Sequence, residues 1–414
     1  MKGLNRQERN WVLYDVGNSA FVMLTATIIP IYFKNLAEGA GMSGADSTAF
    51  FGYASSLVTV IVALLGPGLG AVADVRGYKK RLFLGALLLG AAGCALLAAP
   101  WGWFGFLAVY VLAKIGYQGS LIFYDSMLGD VTGEERMDLV SSHGYAWGYI
   151  GSCIPFVASI LLILCGDRLG LSAGTAMSAA FLINAVWWIA MSAPLLGSFE
   201  QRYCAEKGSH PVRQSLGRLS GVWRELKAEP KILWFLAAFF FYIDGVYTII
   251  DMATSYGKDV GISDTDLMLA LLLTQVVAFP CSILFGHIAK KMEGGRLIQI
   301  SIVGYVGVVL FALQMDQAWE FWLLAVWVAV FQGGIQALSR SYFAKIIPKE
   351  RTAEYFGFYD IFGKGAAFMG TMLVGAAAQI SGDTRTGVGL LAVLFVVGLL
   401  LFRRADREAG EGGA

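Results

Sequence analysis

Apolar residues gather along this chain in long runs separated by short polar breaks, and run length more than any finer periodicity defines the elements. A helix needs about 20 mainly apolar residues to cross a bilayer. Twelve such runs occur, over residues 11–33, 49–73, 82–99, 104–128, 142–165, 174–195, 231–255, 266–289, 297–315, 320–344, 354–378 and 387–402. One long polar segment, 197–230, separates the sixth from the seventh. The pattern predicts an all-α integral membrane protein of twelve transmembrane helices in two six-helix bundles, 1–196 and 231–414. Within the linker, Leu216, Leu219, Trp223 and Leu226 recur at helical spacing among basic residues. That spacing suits an amphipathic helix on the membrane surface and, equally, a solvated connector.

An internal repeat supports two halves built alike. A shift of 215 positions lays Gly119 on Gly334, Ser126 on Ser341, Glu135 on Glu350, Arg136 on Arg351 and Gly148 on Gly363, with Asp125 opposite Arg340. Opposite charges at matched depths suggest helices that meet across a pseudo-symmetric interface.

Composition agrees. Hydrophobic residues make up 57% of the chain and charged residues 15%, against about 25% charged in a soluble domain. A net charge of +1 gives no reason to expect nucleic acid as a partner. The five cysteines, Cys94, Cys153, Cys165, Cys204 and Cys281, include no CxxC pair and read as buried thiols. The basic N-terminus leads into an apolar run that contains Asp15 and lacks a small-residue cleavage site, so it is expected to remain as the first span.

The distribution of the 31 Lys and Arg residues orients the chain. With both termini cytoplasmic, the outer segments hold only Lys34, Arg168, Lys258 and Arg385, while Lys114, Arg340 and Lys364 fall within spans. All the others lie inside, as the positive-inside rule requires. Trp101, Trp103, Trp319 and Trp322 fall at outer ends and Trp11 and Trp234 at inner ends, where interfacial anchors belong.

Between the second and third spans stand Gly70, Asp74, Arg76, Gly77, Lys79 and Lys80. This pattern resembles the loop signature of the major facilitator superfamily. Its repeat is degenerate, with Gly286, Lys290 and Arg296. Lys114 followed by Gln118-Gly119 is similar to the superfamily's basic residue before a glutamine-glycine pair. WVLYDVGNSAF near the start, FFYIDGVYTIIDMATSYG in span seven, and QGGIQALSRS followed by EYFGFYDIFGKG resemble the vacuole-effluxer branch, which comprises autophagy-related vacuolar amino-acid effluxers and their bacterial relatives. The resemblance covers nearly the whole chain. It implies the major facilitator fold, solute export and a cavity lined by the first helix of each three-helix unit. The short loops and simple linker suit a bacterial inner-membrane protein, expected to be monomeric.

Ionisable residues inside spans cost about 2.5–3.5 kcal/mol at mid-helix on insertion scales, so each needs a partner or a task. In span seven Asp244, Thr248, Asp251 and Ser255 share one stripe, within about 60° at 100° per residue. A shift of 229 lays Asp15 on Asp244. Asp251, read as near mid-span, is the first candidate for a coupling site, because a buried carboxyl can exchange a proton near neutral pH. The alternative is that Asp244 and Asp251 only accept local hydrogen bonds. In span four Lys114, Gln118 and Asp125 form a second stripe, with Lys114 placed to meet a substrate carboxylate or Asp251. Asp125 and Arg340 are expected to close the cytoplasmic mouth, with the i,i+4 pair Asp360 and Lys364 nearby. Tyr14, Asn18 and Thr25 share a face of span one, as do Gln332 and Gln336 in span ten; lining a cavity and bonding between helices are both open to them.

His143, His210 and His287 stand at no metal-ligand spacing, and no GxxxxGK[ST] loop or other catalytic or cofactor motif occurs. Neither enzyme chemistry, metal nor cofactor is therefore expected. The expected function is secondary active transport, proton-coupled and by alternating access, of a small polar or zwitterionic solute such as an amino acid. A flippase or exporter of lipids or amphiphiles is the alternative, and a non-transporting sensor or scaffold a weaker one.

Overall fold

The computed structural model describes residues 1, 3–205, 229–259 and 261–411. The linker positions from Leu216 to Leu226 and His210 lie outside them. The described residues are almost wholly helical; the one β-type pairing among them is an isolated bridge between Val75 and Ala205.

The helices of the first sequence half are α1 (Arg6–Ala26), α2 (Ile28–Gly39), α3 (Gly44–Ala73), α4 (Lys79–Leu96), α5 (Trp103–Ser126), the single turn α6 (Leu128–Val131), α7 (Glu134–Cys165) and α8 (Ala173–Ser198). Those of the second are α9 (Pro230–Asp259), α10 (Asp264–Ile288), α11 (Gly294–Ala312), α12 (Ala318–Ile346), α13 (Thr352–Ser381) and α14 (Thr384–Glu411). Among the described residues, eleven spans are long and apolar enough to cross a membrane. The twelfth expected span is α4, whose 18 residues open on Lys79, Lys80 and Arg81.

The first span differs from its expected single helix. It breaks at Thr27, whose φ of −131° and ψ of −70° leave the helical region. The cause is Pro30, which has no N–H for the carbonyl four residues back and whose ring crowds that turn. Thr27 turns its hydroxyl onto the Met23 carbonyl, which satisfies one of the freed acceptors.

The chain forms two compact units whose boundaries differ from the simple division at the linker. The first comprises Met1–Thr132, Trp147–Leu216 and Lys349–Phe358; the second comprises Gly133–Ala146, Gly217–Pro348 and Tyr359–Ala414. Each half thus lends the opening turns of one long helix, α7 or α13, to the unit built mainly by the other. Inside the units the same packing recurs. In the first, α4 packs on α5 and α8, α1 on α8 and α3 on α5; in the second, α11 packs on α12 and α14, α9 on α14 and α10 on α12. The repeat seen in the sequence is a repeat of architecture.

Glycines set how closely these helices approach, as expected where lipid gives no hydrophobic force between spans and close packing must hold them. A Cβ on Gly116 of α5 would lie 2.2 Å from the backbone nitrogen of Gly90 on α4, and one on Gly93 would lie 2.8 Å from the Ala113 Cα. Trp11, expected at the membrane interface, is instead fully buried. It stacks on Tyr124 at 4.4 Å and donates its indole N–H to the Tyr124 carbonyl, because α1 starts well before the apolar run and sinks that turn into the unit. Of the five cysteines only Cys94 is buried; the other four are partly exposed, and none is bonded to another.

Gly116→Ala should force α4 and α5 apart at a cost of about 1–3 kcal/mol, seen as a lower melting temperature of the purified protein. Gly85→Ala, where a Cβ meets nothing within 4 Å, should leave it unchanged.

Candidate functional site

A densely bonded polar cluster of the first unit is centred on Lys79, at the start of α4. Its side chain is completely buried. Burial of an ammonium demands acceptors on every side, and they are present. Nζ donates to Asp130 Oδ2 at 2.9 Å and to Thr352 Oγ1 at 2.9 Å, with Asp74 Oδ1 at 3.8 Å. Asp74 closes α3 and does a second task. Its two carboxylate oxygens each accept, at 2.9 Å, a backbone N–H from Ala353 and Glu354. These are orphan donors of the first turn of α13, so Asp74 caps that helix from another element and meets the positive end of its dipole. The approach is backbone to backbone: a Cβ on Gly70 would lie 2.2 Å from the Ala353 carbonyl oxygen, and one on Gly357 2.7 Å from the Pro67 Cα. Gly77 adopts φ +82°, the left-handed conformation that glycine tolerates.

The beginning of the linker is docked on the same cluster. Arg202 and Tyr203 donate their backbone N–H groups to Asp130 Oδ1, each at 2.9 Å. The Gln201 side chain bonds to the Ala73 and Asp74 carbonyls and accepts from the Gly77 N–H. Ala205 donates its N–H to the Asp74 carbonyl at 2.9 Å.

The second unit carries the corresponding feature with charges exchanged. Asp130 repeats as Lys345, and Lys345 donates to Asp138 of α7 at 2.6 Å. Asp138 also accepts from the Ser341 hydroxyl at 2.6 Å. The residues in register with Lys79 are glycines, and a Cβ on Gly294 would lie 3.4 Å from Asp138. Arg340 is buried here: its Nε donates to Ser141 Oγ at 2.9 Å, its Nη2 to the Ser141 carbonyl at 3.1 Å, and its guanidinium lies 4.5 Å from the Tyr145 ring. Asp125, its expected partner, is half-buried near the end of α5 in the first unit. Asp360 and Lys364 form the local i,i+4 ion pair, at 2.5 Å.

Other expected positions fall at the midpoints of their helices. Lys114 is the twelfth of the 24 residues of α5, and its ammonium donates to Tyr110 Oη at 2.9 Å and Ser55 Oγ at 3.3 Å. Gln118, one turn on, is buried, and its carbonyl oxygen has no partner among the described residues. Asp244 is the fifteenth of the 30 residues of α9 and fully buried. It accepts the Gly370 N–H of α13 at 2.8 Å and the Thr248 hydroxyl at 3.4 Å. Asp251 lies seven residues further, about 10 Å along the helix, and is exposed. The mid-span position expected for Asp251 therefore belongs to Asp244. The side chain of Ser255 lies outside the described residues.

Tyr14 is buried among Ser120, Phe83 and Tyr124, in an interhelical hydrogen bond. Asn18 reaches Asp15 of its own helix at 3.4 Å, and Gln332 and Gln336 are both buried on α12. Of the two adjacent lysines of the loop signature, Lys79 carries the buried network while Lys80, like Arg76, is exposed. Nothing in the sequence pattern marks Asp130, Asp138, Tyr110 and Ser55; only their tertiary partners distinguish them. The rings of His143 and His287, 144 positions apart in the sequence, lie 6.3 Å from each other.

The structure of the human organic anion transporter MFSD10 superposes with a TM-score of 0.72 at 14% identity, covering 96% of this chain and all of that one. The major facilitator transporter FucP in its outward conformation gives 0.71, also at 14% identity, with 97% of each chain covered. The fold is that of the major facilitator superfamily, and a relative 44% identical over nearly the whole chain makes the molecule a multi-pass membrane transporter of this type. More narrowly, the family described as "Vacuole effluxer Atg22 like" matches residues 5–413, and the chain belongs to it. The uncharacterised MFS-type transporter YxiO of Bacillus subtilis is 44% identical over 413 residues, covering 99% of this chain and 96% of YxiO. Autophagy-related protein 22 of Yarrowia lipolytica is 24% identical over 303 residues, 66% of this chain and 51% of that protein.

Burial pushes the Asp74 carboxyl up from 3.8 to about 7, against the pull of Lys79 and of its two N–H donors. A carboxyl that is harder to ionise in the folded state contributes stability that is full below its unfolded value and is lost as pH rises through its folded value. The melting temperature should thus carry a downward component between about pH 4 and 7 that Asp74→Asn flattens. Lys79→Met, which leaves Asp130 and Asp74 buried beside no cation, should destabilise by about 3–5 kcal/mol, measured as a fall in melting temperature and in monodisperse yield.

Proposed function

We propose that this transporter is a proton-coupled secondary carrier that exports a small polar or zwitterionic solute by alternating access, with amino acids the favoured class. The observation that carries this reading is the placement of one ionisable residue at the midpoint of a membrane helix in each unit, Lys114 on α5 and Asp244 on α9. Charges at that depth are expensive and mark solute or ion pathways. Small polar solutes offer the complementary groups. The effluxer description of the family favours export, and the two bundles of like architecture suit a rocking exchange of access.

Asp244 supplies a physical route for proton coupling. An ionised carboxylate holds the Gly370 N–H more strongly than a protonated one does. Proton binding weakens that bond and loosens α13 from α9; proton release tightens it. The proton is then linked to a helix contact, as coupling between two conformations requires. Asp125, Arg340, Asp360 and Lys364 remain the proposed gate residues, and Gln118, Asn18, Gln332, Gln336 and Asp251 remain proposed solute or proton contacts.

Purified protein reconstituted in liposomes with radiolabelled amino acids tests this directly. Flux driven by a pH gradient should fall about 5–150-fold in Asp244→Asn, the span of ordinary coupling energies, while solute exchange without a gradient persists. Flux equally dependent on the gradient in Asp244→Asn counts against Asp244 as the coupling group.

A further inference from the structure

We infer that Lys114, Tyr110 and Ser55 form a binding site for a carboxylate group of the transported solute, a monoanionic head on an otherwise small molecule. The inference rests on the transporter reading above and adds a ligand class and two residues to it.

The three side chains make a closed triangle between α3 and α5. Lys114 Nζ is 2.9 Å from Tyr110 Oη and 3.3 Å from Ser55 Oγ, and the two hydroxyl oxygens are 3.2 Å apart. An ammonium has three donor hydrogens and no acceptor. Two are directed at hydroxyls, which solvate the cation and leave its charge intact. Among the described residues these hydroxyls are its hydrogen-bond partners, and no carboxylate forms an ion pair with it. One N–H remains.

The hydroxyls also have donor capacity left. Between them they carry two O–H hydrogens; one serves their mutual contact and the other is available. The triangle therefore presents one N–H and one O–H beside an unneutralised positive charge. A carboxylate takes both donors with its two oxygens and supplies the missing charge. A neutral amide or alcohol can accept from these donors but brings no compensating charge.

Position and rigidity support the assignment. Lys114 is half-buried at the midpoint of α5, where lipid offers an ammonium no acceptor. Tyr110 is fully buried and held by stacking on Phe51, with ring centres 4.9 Å apart. Its fixed hydroxyl holds Lys114 and Ser55 in place before any ligand arrives, which lowers the ordering cost of binding, and the O–H open to a ligand is that of half-buried Ser55. α3 contains no Lys or Arg and α5 contains only Lys114. One cation matches a monoanion, whereas a phosphate dianion would keep excess charge at mid-membrane. One turn along the same face, the Gln118 carbonyl oxygen also has no partner among the described residues.

The test uses the full-length protein in nanodiscs and the change in melting temperature caused by matched pairs of compounds. The pairs are acetate and acetamide, glycine and glycinamide, leucine and leucinamide, and glutamine and its α-amide. A ligand that binds the folded state raises the melting temperature by mass action. At least one carboxylate should raise it while its amide does not. Lys114→Met, an apolar chain of similar length that suits a membrane helix, should abolish the shift, and Lys114→Arg should keep part of it. Tyr110→Phe and Ser55→Ala should each weaken binding about 3–10-fold, as the loss of one hydrogen bond does.

Equal shifts from a carboxylate and its amide, a shift that survives Lys114→Met, or no shift from any carboxylate overturns the assignment. The transport reading fails separately. Lys114-dependent carboxylate binding without flux in proteoliposomes would sink transport and keep the site, whereas flux of an uncharged solute unaffected by Lys114→Met would keep transport and sink the site.

Discussion

An ammonium withdrawn from water must be surrounded by acceptors, and in the first unit this requirement at Lys79 organises everything near it. Asp130, Thr352 and Asp74 converge on its Nζ. The two carboxylates are each drawn into further bonds that extend the constraint outward. Asp130 takes two backbone donors from the start of the linker, and Asp74 takes two from the start of α13. Such a network is worth more whole than in parts, because removal of one member strands charges that the rest cannot reach. Close backbone approach at Gly70 and Gly357 is what allows the short contacts to form at all.

The second unit resolves the same architecture with the opposite distribution of charge. Where the first has a central lysine and peripheral acids, the second has Asp138 between Lys345 and Ser341, with glycine in register with Lys79. Duplicated halves can keep their backbone geometry while their polar chemistry diverges, since helix contacts depend on small residues at the crossing points and polar satisfaction only asks that each donor find some acceptor.

Much of the fold was legible because bilayer thickness imposes one length on every span, so the apolar runs marked the helices without tertiary information. The break at Thr27 was visible in principle, through Pro30. The exchange of Lys349–Phe358 and Gly133–Ala146 between units was not, for it depends on which surfaces pack, and hydropathy is silent on that. The site was legible only in outline. Lys79 and Lys80 are adjacent and chemically identical, and only the direction of each side chain from the first turn of α4 makes one a buried hub and the other an exposed charge. Asp244 and Asp251 share a helical stripe, but their depths depend on where α9 starts and stops. Tyr14 and Trp11 belong to a turn whose burial follows from an N-terminal extension of α1 beyond its apolar run.

The position of Lys114 has an electrical consequence. A charge at the middle of a membrane helix sits partway through the transmembrane voltage, which acts on one elementary charge with about 2.3 kcal/mol per 100 mV over the full drop. Because hydroxyls rather than carboxylates solvate this ammonium, its charge is not cancelled locally. Any rearrangement that changes how much of the field lies on either side of α5 therefore does electrical work, and the voltage across the membrane becomes a bias on which arrangement is populated.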